Sequence, residues 1–560
     1  MPTSPAAARK AAEILSSMSE DDKLRQLFCL ITYSDDEPSL AHIARDLRPG
    51  GVMLRSMPLD ACRRTAQALQ RHAKIPLLLA ANLEAGGAPT ITDGTPLAKP
   101  MQIAAMPHGQ TEAAAHLGTV CAREGRAAGI NWAFAPVADI DFNWRSPITN
   151  TRTFGSDPET VAELTEAYVR AAQEGGLAAC VKHFPGDGRD ERDQHIAPSV
   201  NDLDVETWER TYGRVYRRAI RAGVMSVMVG HILFPAWERR LHPGLGHGEL
   251  LPASVSQRIV TGLLRGRLGF DGLIVTDSST MAGVGALIPR RELVPMTIAA
   301  GCDMFLFTKD YDEDLDAMRE GLASGVITQA RLDDAVTRIL TLKASLGLHL
   351  PGGTDLVPEA DARALVGCGE HRAWAADIAG QSITLVREEP GVLPLTPARY
   401  PRLLFVPLDD REEGASIMPG GEGQNDRLRR ALEAEGFEVT SFTPPPGYEG
   451  MMQPTSAVTD RYDAIIYAAS LSTRSNRTTV RISWKNPMGA DVPVFVHTLP
   501  TIFISLENPY HLIDVPQVRT YINCYAGTEA VVTALMERLT GRARFTGRSP
   551  VDADREAWGW

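Results

Sequence analysis

Short apolar runs separated by helix-like segments fill residues 1–350 of the chain. Most of these eight runs lack polar alternation, which is typical of parallel strands that are buried on both faces. Amphipathic stretches such as 60–73, 160–175 and 254–269 lie between many of them. Eight such units predict a (β/α)₈ barrel over this region. The long third connection, residues 85–129, leads us to expect departures from perfect alternation near the first units. The runs are LRQLFCLITYS (24–34), GGVMLRS (50–56), IPLLLAANLE (75–84), INWAFAPVADID (130–141), LAACVKHFPG (177–186), SVMVGHILF (226–234), GLIVTDSS (272–279) and DMFLFTKD (303–310).

A second α/β pattern follows a break in the chain. An amphipathic helix is predicted over residues 326–348, and the Pro/Gly-rich stretch after it predicts a linker over 351–370. Residues 371–560 then alternate apolar runs with helical segments such as 426–436 and 527–541. The prediction for this part is a smaller α/β sandwich domain, so the whole chain is of the α/β class. Its apolar runs are ITLVRE, RLLFVPL, FEVTSF, DAIIYAAS, TIFISLEN and TYINCYA.

Composition narrows the possible partners and location. The chain has 560 residues and a net charge of −12, which argues against binding to nucleic acid or to anionic membranes. Its seven cysteines form no CxxC pair, so neither a disulfide framework nor a zinc site is predicted. The first residues contain no apolar signal segment, and no apolar run is long enough to span a bilayer. These features favour a cytoplasmic enzyme and leave its oligomeric state open.

Polar side chains follow five of the predicted barrel strands at the points where the strands end. Any one of them could cap a helix or line a loop. Barrel enzymes, however, carry their catalytic groups at the carboxyl ends of the strands, so this coincidence predicts an active site there. The residues are Asn82 and Glu84, Asp139 and Asp141, Lys182 and His183, His231, and Asp277.

The richest of these segments is the loop KHFPGDGRDERDQH, residues 182–195. Asp193 and His195 lie two positions apart on it, and a carboxylate that orients an imidazole makes a general acid/base near neutral pH. A solvated charged loop is one alternative. A metal site is another, although the loop lacks a standard ligand spacing. Its possible ligands are His183, Asp187, Asp190, Asp193 and His195.

A carboxylate also closes the apolar run GLIVT. Asp277 stands at the end of this predicted strand, directed toward the rim of the barrel. A carboxylate in that position can attack an anomeric carbon and form a covalent glycosyl ester.

At these residues the sequence resembles glycoside hydrolase family 3. KHFPGDG…DQH is similar to the KHFPGHG…DSH loop of the family's β-N-acetylglucosaminidase branch, and GLIVTD is similar to its nucleophile strand. NTRTFG resembles the segment that supplies a substrate-binding Arg, and SEDDKLRQLF resembles the first helix. TIFISLENPYHL and GRARFTGRSPV resemble parts of the family's C-terminal α/β sandwich domain, so the resemblance covers nearly the whole chain.

The resemblance implies an exo-acting enzyme that cleaves small β-glycosides or oligosaccharides by double displacement. Asp277 takes the nucleophile role, and His195 takes the acid/base role with Asp193 as its partner. No cofactor and no metal ion are implied. The residues expected to contact the sugar are Arg152, Lys182, His183, Asn82, Glu84, Gln194 and His231.

Three departures from the family pattern affect the predicted specificity. Asn82 stands where Asp is frequent, PGDG replaces PGHG, and DQH replaces DSH. Gln194 is larger than Ser and brings an amide that can fill the space of an N-acetyl group and bond a 2-hydroxyl instead. This predicts a preference for β-glucosides over N-acetylglucosaminides. The alternative is a Gln194 side chain that faces solvent.

The acceptor of the glycosyl group is open between phosphate and water. A deprotonated imidazole is neutral and does not repel a phosphate dianion as a Glu base would. Arg189 and Arg192 on the same loop could bind phosphate through forked hydrogen bonds, or could simply solvate the loop. We favour a β-glucoside phosphorylase with inorganic phosphate as co-substrate. A β-N-acetylglucosaminidase or β-glucosidase that transfers to water is the alternative.

Two other classes remain as alternatives. A non-catalytic sugar-binding protein would keep Arg152, Lys182 and His183 but would not need both Asp277 and the dyad. A metal-dependent hydrolase would lose its activity to a chelator. The C-terminal domain could cover the active site of its own or of a neighbouring subunit.

Overall fold

The structure is a computed structural model that describes residues 5–349, 356–358, 360–409, 423–443, 454–471, 473–484, 489 and 491–554. Its strands, numbered β1–β16 in chain order, are Phe28–Ile31, Gly51–Met53, Leu78–Ala81, Trp132–Ala133, Ala178–Phe184, Ser199–Val200, Ser226–Val229, Ile232–Leu233, Leu273–Ser278, Met304–Leu306, Thr384–Arg387, Arg402–Asp409, Glu438–Ser441, Ala464–Ser470, Thr501–Ser505 and Thr520–Asn523.

The α-helices, numbered α1–α18 in the same way, are Pro5–Ser16, Glu20–Gln26, Glu37–Ala41, Leu59–His72, Pro100–Ala104, Gln110–Ala127, Pro158–Glu174, Val205–Arg210, Tyr212–Arg221, Pro235–Leu241, Ala282–Gly285, Arg290–Ala300, Tyr311–Ala323, Gln329–Ser345, Gly369–Ser382, Gln424–Glu435, Ser456–Thr459 and Glu529–Leu539. In the described part of the chain, none of them is both long and apolar enough to cross a lipid bilayer.

Eight parallel strands close into a barrel. Around it run β1, β2, β3, β4, β5, β7, β9 and β10, so each strand pairs with the next barrel strand along the chain. Each of the eight predicted runs contains one of them, which confirms the (β/α)₈ prediction. The expected departure from alternation is wrong. The long third connection folds into α5 and α6 outside the barrel and leaves the strand order undisturbed.

The barrel strands are buried on both faces, which explains their continuous apolar runs. In β3, Leu78 and Ala80 belong to the cluster that fills the barrel, together with Trp132. Leu79 and Ala81 face the opposite way, into the cluster between the strands and the helices. Because successive strand residues point to opposite faces, neither face leaves room for polar alternation.

One predicted helix has an unexpected form. Residues 254–269 form a short 3₁₀ turn, Ala253–Val255, and then a π-helix, Arg258–Arg267, in place of an α-helix.

The second sheet has six strands in the order β11-β16-β15-β14-β12-β13. Only β11 runs antiparallel to its neighbour, and each of the six predicted apolar runs contains one strand. Apolar clusters cover both faces of this sheet, one of them including residues of α16 and α18. Within the predicted linker, residues 351–355 and 359 lie outside the described part of the chain.

Side chains of the second domain contact the loops at the carboxyl rim of the barrel. Asn150 donates its side-chain N–H to Asn508 Oδ1 at 3.0 Å, and the Tyr510 hydroxyl donates to Asp141 Oδ2 at 2.6 Å. Lys99 forms an ion pair with Glu507. The segment ENPY, residues 507–510, therefore joins the second domain to the end of the barrel where the predicted site lies.

Candidate functional site

The carboxyl ends of the barrel strands bring the predicted site residues together. Asn82 and Glu84 follow β3, and Lys182 and His183 lie near the end of β5. Hydrogen bonds and ion pairs link these groups to one another and to residues after β4 and β9. In a parallel barrel all of these ends meet at one rim, which is why positions far apart in sequence form a single cluster.

Asp277 lies at the centre of the cluster, near the end of β9. Its Oδ1 accepts a hydrogen bond from the backbone N–H of Ser278 at 2.7 Å, while Oδ2 is buried and has no hydrogen-bond partner among the described residues. Burial works to raise its pKa, but charge on the nearby imidazoles of His183 and His195 and the hydrogen bond from Ser278 hold the pKa below the usual range. The result favours an ionised carboxylate, one oxygen of which has no hydrogen-bond partner among the described residues.

The predicted acid/base pair is formed. His195 Nδ1 lies 2.6 Å from Asp193 Oδ1, and the backbone N–H of His195 donates to the same oxygen at 2.9 Å. Burial works to raise the pKa of Asp193, but the hydrogen bond and charge of His195 lower it below the usual range. An ionised Asp193 accepts the Nδ1 proton and leaves Nε2 of the imidazole for proton transfer.

Glu84, which follows β3, forms ion pairs with two of the residues predicted to bind the sugar. Arg152 donates to both carboxylate oxygens of Glu84 at 2.9 Å, and Lys182 Nζ lies 2.6 Å from Glu84 Oε1. Lys182 also donates to Asn82 Oδ1 at 3.1 Å. Burial works to raise the pKa of Glu84, but these two cations lower it. Glu84 thus supplies the negative charge that Asn82 lacks.

His183 forms hydrogen bonds to Asp139. This pairing was not predicted from the sequence. The carboxylate accepts the ring Nδ1–H at 2.7 Å and the backbone N–H of His183 at 3.1 Å. Nε2 of His183 then lies 3.9 Å from Asp277 Oδ2. The only sequence signal for this pairing is the position of Asp139 at the end of the run INWAFAPVADID.

Gln194 points inward, so the alternative of a solvent-facing side chain is wrong. It is 1% exposed, its Oε1 accepts the backbone N–H of His231 at 2.8 Å, and its Nε2 donates to Asp187 Oδ2 at 3.2 Å. A Cβ added at Gly230 would lie 3.2 Å from Gln194 Oε1 and 3.3 Å from His183 Cβ. The amide of Gln194 therefore packs closely against Gly230, on the side of the site where His183 lies.

His231 lies on the same side of the site, but both of its ring nitrogens are engaged. Nδ1 lies 2.7 Å from the hydroxyl of Ser254, and Nε2 lies 3.0 Å from the carbonyl oxygen of Ser278. Burial lowers the pKa of His231, so the ring is neutral and donates from Nε2. In this arrangement His231 orients the backbone beside Asp277.

Asp187, at the position where the family pattern has His, is buried among other acidic groups. The backbone N–H of Asp187 donates to Asp139 Oδ1 at 2.8 Å, and the backbone N–H of Gly188 donates to Asp187 Oδ1 at 2.7 Å. Burial and the charge of Asp139 raise the pKa of Asp187 to about 8. This shift in the pKa favours the protonated form of the carboxyl at neutral pH.

The two arginines proposed to bind phosphate lie outside the cluster. Arg189 donates to Asp202 Oδ1 at 2.8 Å, and Arg192 forms a forked contact with the carboxylate of Asp190, its shortest distance being 2.6 Å. Both guanidinium groups thus pair with carboxylates, that of Asp202 exposed and that of Asp190 largely buried.

A residue of the second domain reaches the acid/base pair. The backbone N–H of Asn476 donates to Asp193 Oδ2 at 2.7 Å. Nothing in the sequence identifies this contact, because the two residues lie 283 positions apart and the donor is a backbone group.

Potential metal donors group elsewhere in the described residues. Cys368, Glu370 and His371 lie close enough to share an ion, whereas the carboxylates and imidazoles around Asp277 form no such group in that part of the chain.

Comparison with known proteins establishes the family. The profile of the glycosyl hydrolase family 3 N terminal domain matches residues 21–342, which is more than half of the chain. The chain belongs to glycoside hydrolase family 3. It is an enzyme of this family, so the alternative of a non-catalytic sugar-binding protein is set aside.

Relatives in family 3 match almost the full length. A "Beta-N-acetylglucosaminidase/beta-glucosidase" of Cellulomonas fimi is 53% identical over 97% of this chain and 95% of its own. The structure of "Beta-glucoside phosphorylase BglX" is 41% identical, with a TM-score of 0.91 over 99% of this chain and 97% of that chain. A family 3 β-N-acetylglucosaminidase from Paenibacillus sp. str. FPU-7 is 26% identical, with a TM-score of 0.81 over 96% and 99%.

Replacement of Asp187 by Asn tests the protonation of this buried carboxyl. A native pKa raised above the unfolded value gives stability that is present at low pH and is lost as pH rises through about 8. Asp187→Asn has no proton to lose. Its stability relative to wild type should therefore grow from about pH 6 to about pH 8, by at most about 1.4 kcal/mol per unit, and then level off. Thermal unfolding of both proteins across this range measures the difference. A pH-independent difference would mean that Asp187 is ionised throughout.

Proposed function

We propose that the chain cleaves β-glucosides with retention of configuration and transfers the glucosyl group to inorganic phosphate. Asp277 is the nucleophile and His195 is the acid/base. The observation that carries this proposal is the 2.6 Å contact between Asp193 and His195, because it makes the proton-transfer group an imidazole. The reaction needs no cofactor.

In the first step Asp277 attacks the anomeric carbon. Its Oδ2, which lacks a hydrogen-bond partner among the described residues, forms the new bond. His195 donates the Nε2 proton to the leaving oxygen, and Asp193 balances the imidazolium charge before that transfer. The aglycone leaves and a glucosyl ester remains on Asp277.

In the second step the acceptor enters beside a neutral imidazole. A carboxylate base about 4 Å from a phosphate charge would oppose its entry by about 1 kcal/mol per charge pair in water, and by about 4 kcal/mol near a protein surface. Deprotonated His195 imposes no such repulsion. A phosphate oxygen attacks the ester from the face that the aglycone left, which gives the β-sugar phosphate and regenerates the Asp277 carboxylate. The remaining proton of the phosphate passes to Nε2 of His195, which restores the acid for the next turnover.

The pairing of Arg189 and Arg192 favours a second candidate, transfer to water. Both guanidinium groups are occupied by Asp202 and Asp190, so neither forms a phosphate cradle in this conformation. With water as acceptor, the same residues would act as a β-glucosidase or a β-N-acetylglucosaminidase. The Cellulomonas fimi relative is named for these activities, and BglX is named for phosphorolysis.

The buried amide of Gln194 supports glucose as the donor sugar. Its two hydrogen bonds, to His231 N–H and to Asp187, fix it against the wall of the site. A side chain held in this way cannot swing out to admit an acetamido group without leaving buried polar groups unpaired. A matched complex of BglX is with 2FGlc, a glucose analogue.

Phosphate dependence tests the proposed acceptor. An aryl β-glucoside is incubated with phosphate, and the products are followed by phosphorus NMR. We expect β-glucose 1-phosphate as the main product, because phosphate captures the ester on Asp277 before water does. Sulfate at equal ionic strength is the matched control, since it is a similar dianion but a poor nucleophile. Free glucose as the main product at every phosphate concentration would show that water is the acceptor.

Shortening Gln194 tests the proposed donor sugar. Gln194→Ser opens space beside the 2-position, so the ratio of kcat/KM for the glucoside to that for the N-acetylglucosaminide should fall about tenfold or more. Nitrophenyl glycosides of both sugars measure this ratio. Glu191→Ser, on the exposed part of the same loop, is the matched control and should leave the ratio unchanged. A wild-type enzyme that strongly prefers the acetamido sugar, with the same ratio in Gln194→Ser, would refute the role of Gln194.

A further inference from the structure

The hydrogen bonds of Asp193 come from both domains of the chain. This residue is fully buried, and its Oδ1 is shared by the ring Nδ1 and the backbone N–H of His195. Its Oδ2 accepts a 2.7 Å hydrogen bond from the backbone N–H of Asn476. A buried carboxylate oxygen without a donor is costly, so this bond governs how Asp193 is oriented.

The backbone of Asn476 adopts a conformation that suits this contact. Its φ is +66°, in the left-handed region, which Asn and Gly tolerate and β-branched residues do not. The Asn476 side chain itself is exposed, so the contribution of this residue to the dyad is its backbone N–H and the turn that aims it.

The loop that carries Asn476 is fastened to the second domain a few residues later. The backbone carbonyl of Val480 accepts from Asn508 Nδ2 at 3.1 Å, and the backbone N–H of Ile482 donates to Asp514 at 3.0 Å. Asn508 also accepts from Asn150 of the barrel at 3.0 Å. The segment that docks the two domains therefore also holds the loop that reaches Asp193.

We propose that Asn476 is a positioning residue through which the second domain orients the Asp193–His195 pair for proton transfer. The inference rests on the proposed acid/base role of His195. With the N–H of Asn476 in place, Asp193 keeps its Oδ1 directed at Nδ1 of His195, and Nε2 faces the glycosidic oxygen. Without the N–H of Asn476, the Asp193 carboxylate rotates to find another hydrogen-bond donor for Oδ2, and the imidazole of His195 loses its alignment.

Two substitutions at one position separate this role from a general loss of structure. Asn476→Gly keeps the N–H and accepts a positive φ, whereas Asn476→Val forces the backbone out of the left-handed region and moves the N–H away. The measured quantity is kcat/KM for two aryl glucosides. Dinitrophenolate leaves without protonation, and phenolate needs the proton from His195.

We expect Asn476→Val to lower kcat/KM for the phenyl glucoside by about tenfold or more, within the usual range of general acid catalysis, and to change the dinitrophenyl value by less than about twofold. Asn476→Gly should resemble wild type on both substrates. Equal losses on both substrates, unchanged values for Asn476→Val, or a phenyl-specific loss in Asn476→Gly would each overturn the inference.

His195→Gln separates this inference from the proposed function. If His195→Gln shows the phenyl-specific loss and Asn476→Val does not, the acid/base role stands and the positioning role is refuted. If His195→Gln shows no dependence on the leaving group, the proposed role of His195 is itself wrong, and the inference that rests on it is overturned as well.

Discussion

The site depends on keeping the carboxylate of Asp277 charged inside the barrel. Burial favours its neutral form, and charge on the imidazoles of His183 and His195 offsets that preference. Both rings are fixed in turn by carboxylates, His183 by Asp139 and His195 by Asp193. Acids and imidazoles alternate in this arrangement, and each group depends on its neighbour for its position. This dependence explains why so many buried polar residues meet at one rim.

The second domain also contributes to the site, because it supplies hydrogen bonds to two of the buried carboxylates. Asp141, next to the strand end that supplies Asp139, accepts a hydrogen bond from the hydroxyl of Tyr510, and Asp193 accepts one from the backbone of Asn476. Burial at the domain junction excludes water from these carboxylates, so their remaining hydrogen bonds must come from protein. The family 3 barrel and the second sheet thus share one polar network.

Much of the fold and the centre of the site could be predicted from the sequence. Strands buried on both faces give unbroken apolar runs, and parallel strands end at one rim, so both the barrel and the place of Asp277 follow from local pattern. The partners of Gln194 and Arg189, Asp187 and Asp202, could not be predicted, because they depend on which groups the folded loop brings near. The contact of Asn476 is a backbone hydrogen bond between domains, and side-chain identity carries no signal for it.

Trapping the covalent intermediate shows directly which carboxylate is the nucleophile. A 2-deoxy-2-fluoroglucoside with an activated leaving group forms its ester readily and loses it slowly, so the labelled enzyme can be digested and sequenced by mass spectrometry. We expect a single fluoroglucosyl group on the peptide that contains GLIVTD, attached to Asp277. A label on another carboxylate such as Asp187, or catalytic turnover in Asp277→Ala at the wild-type rate, would contradict it.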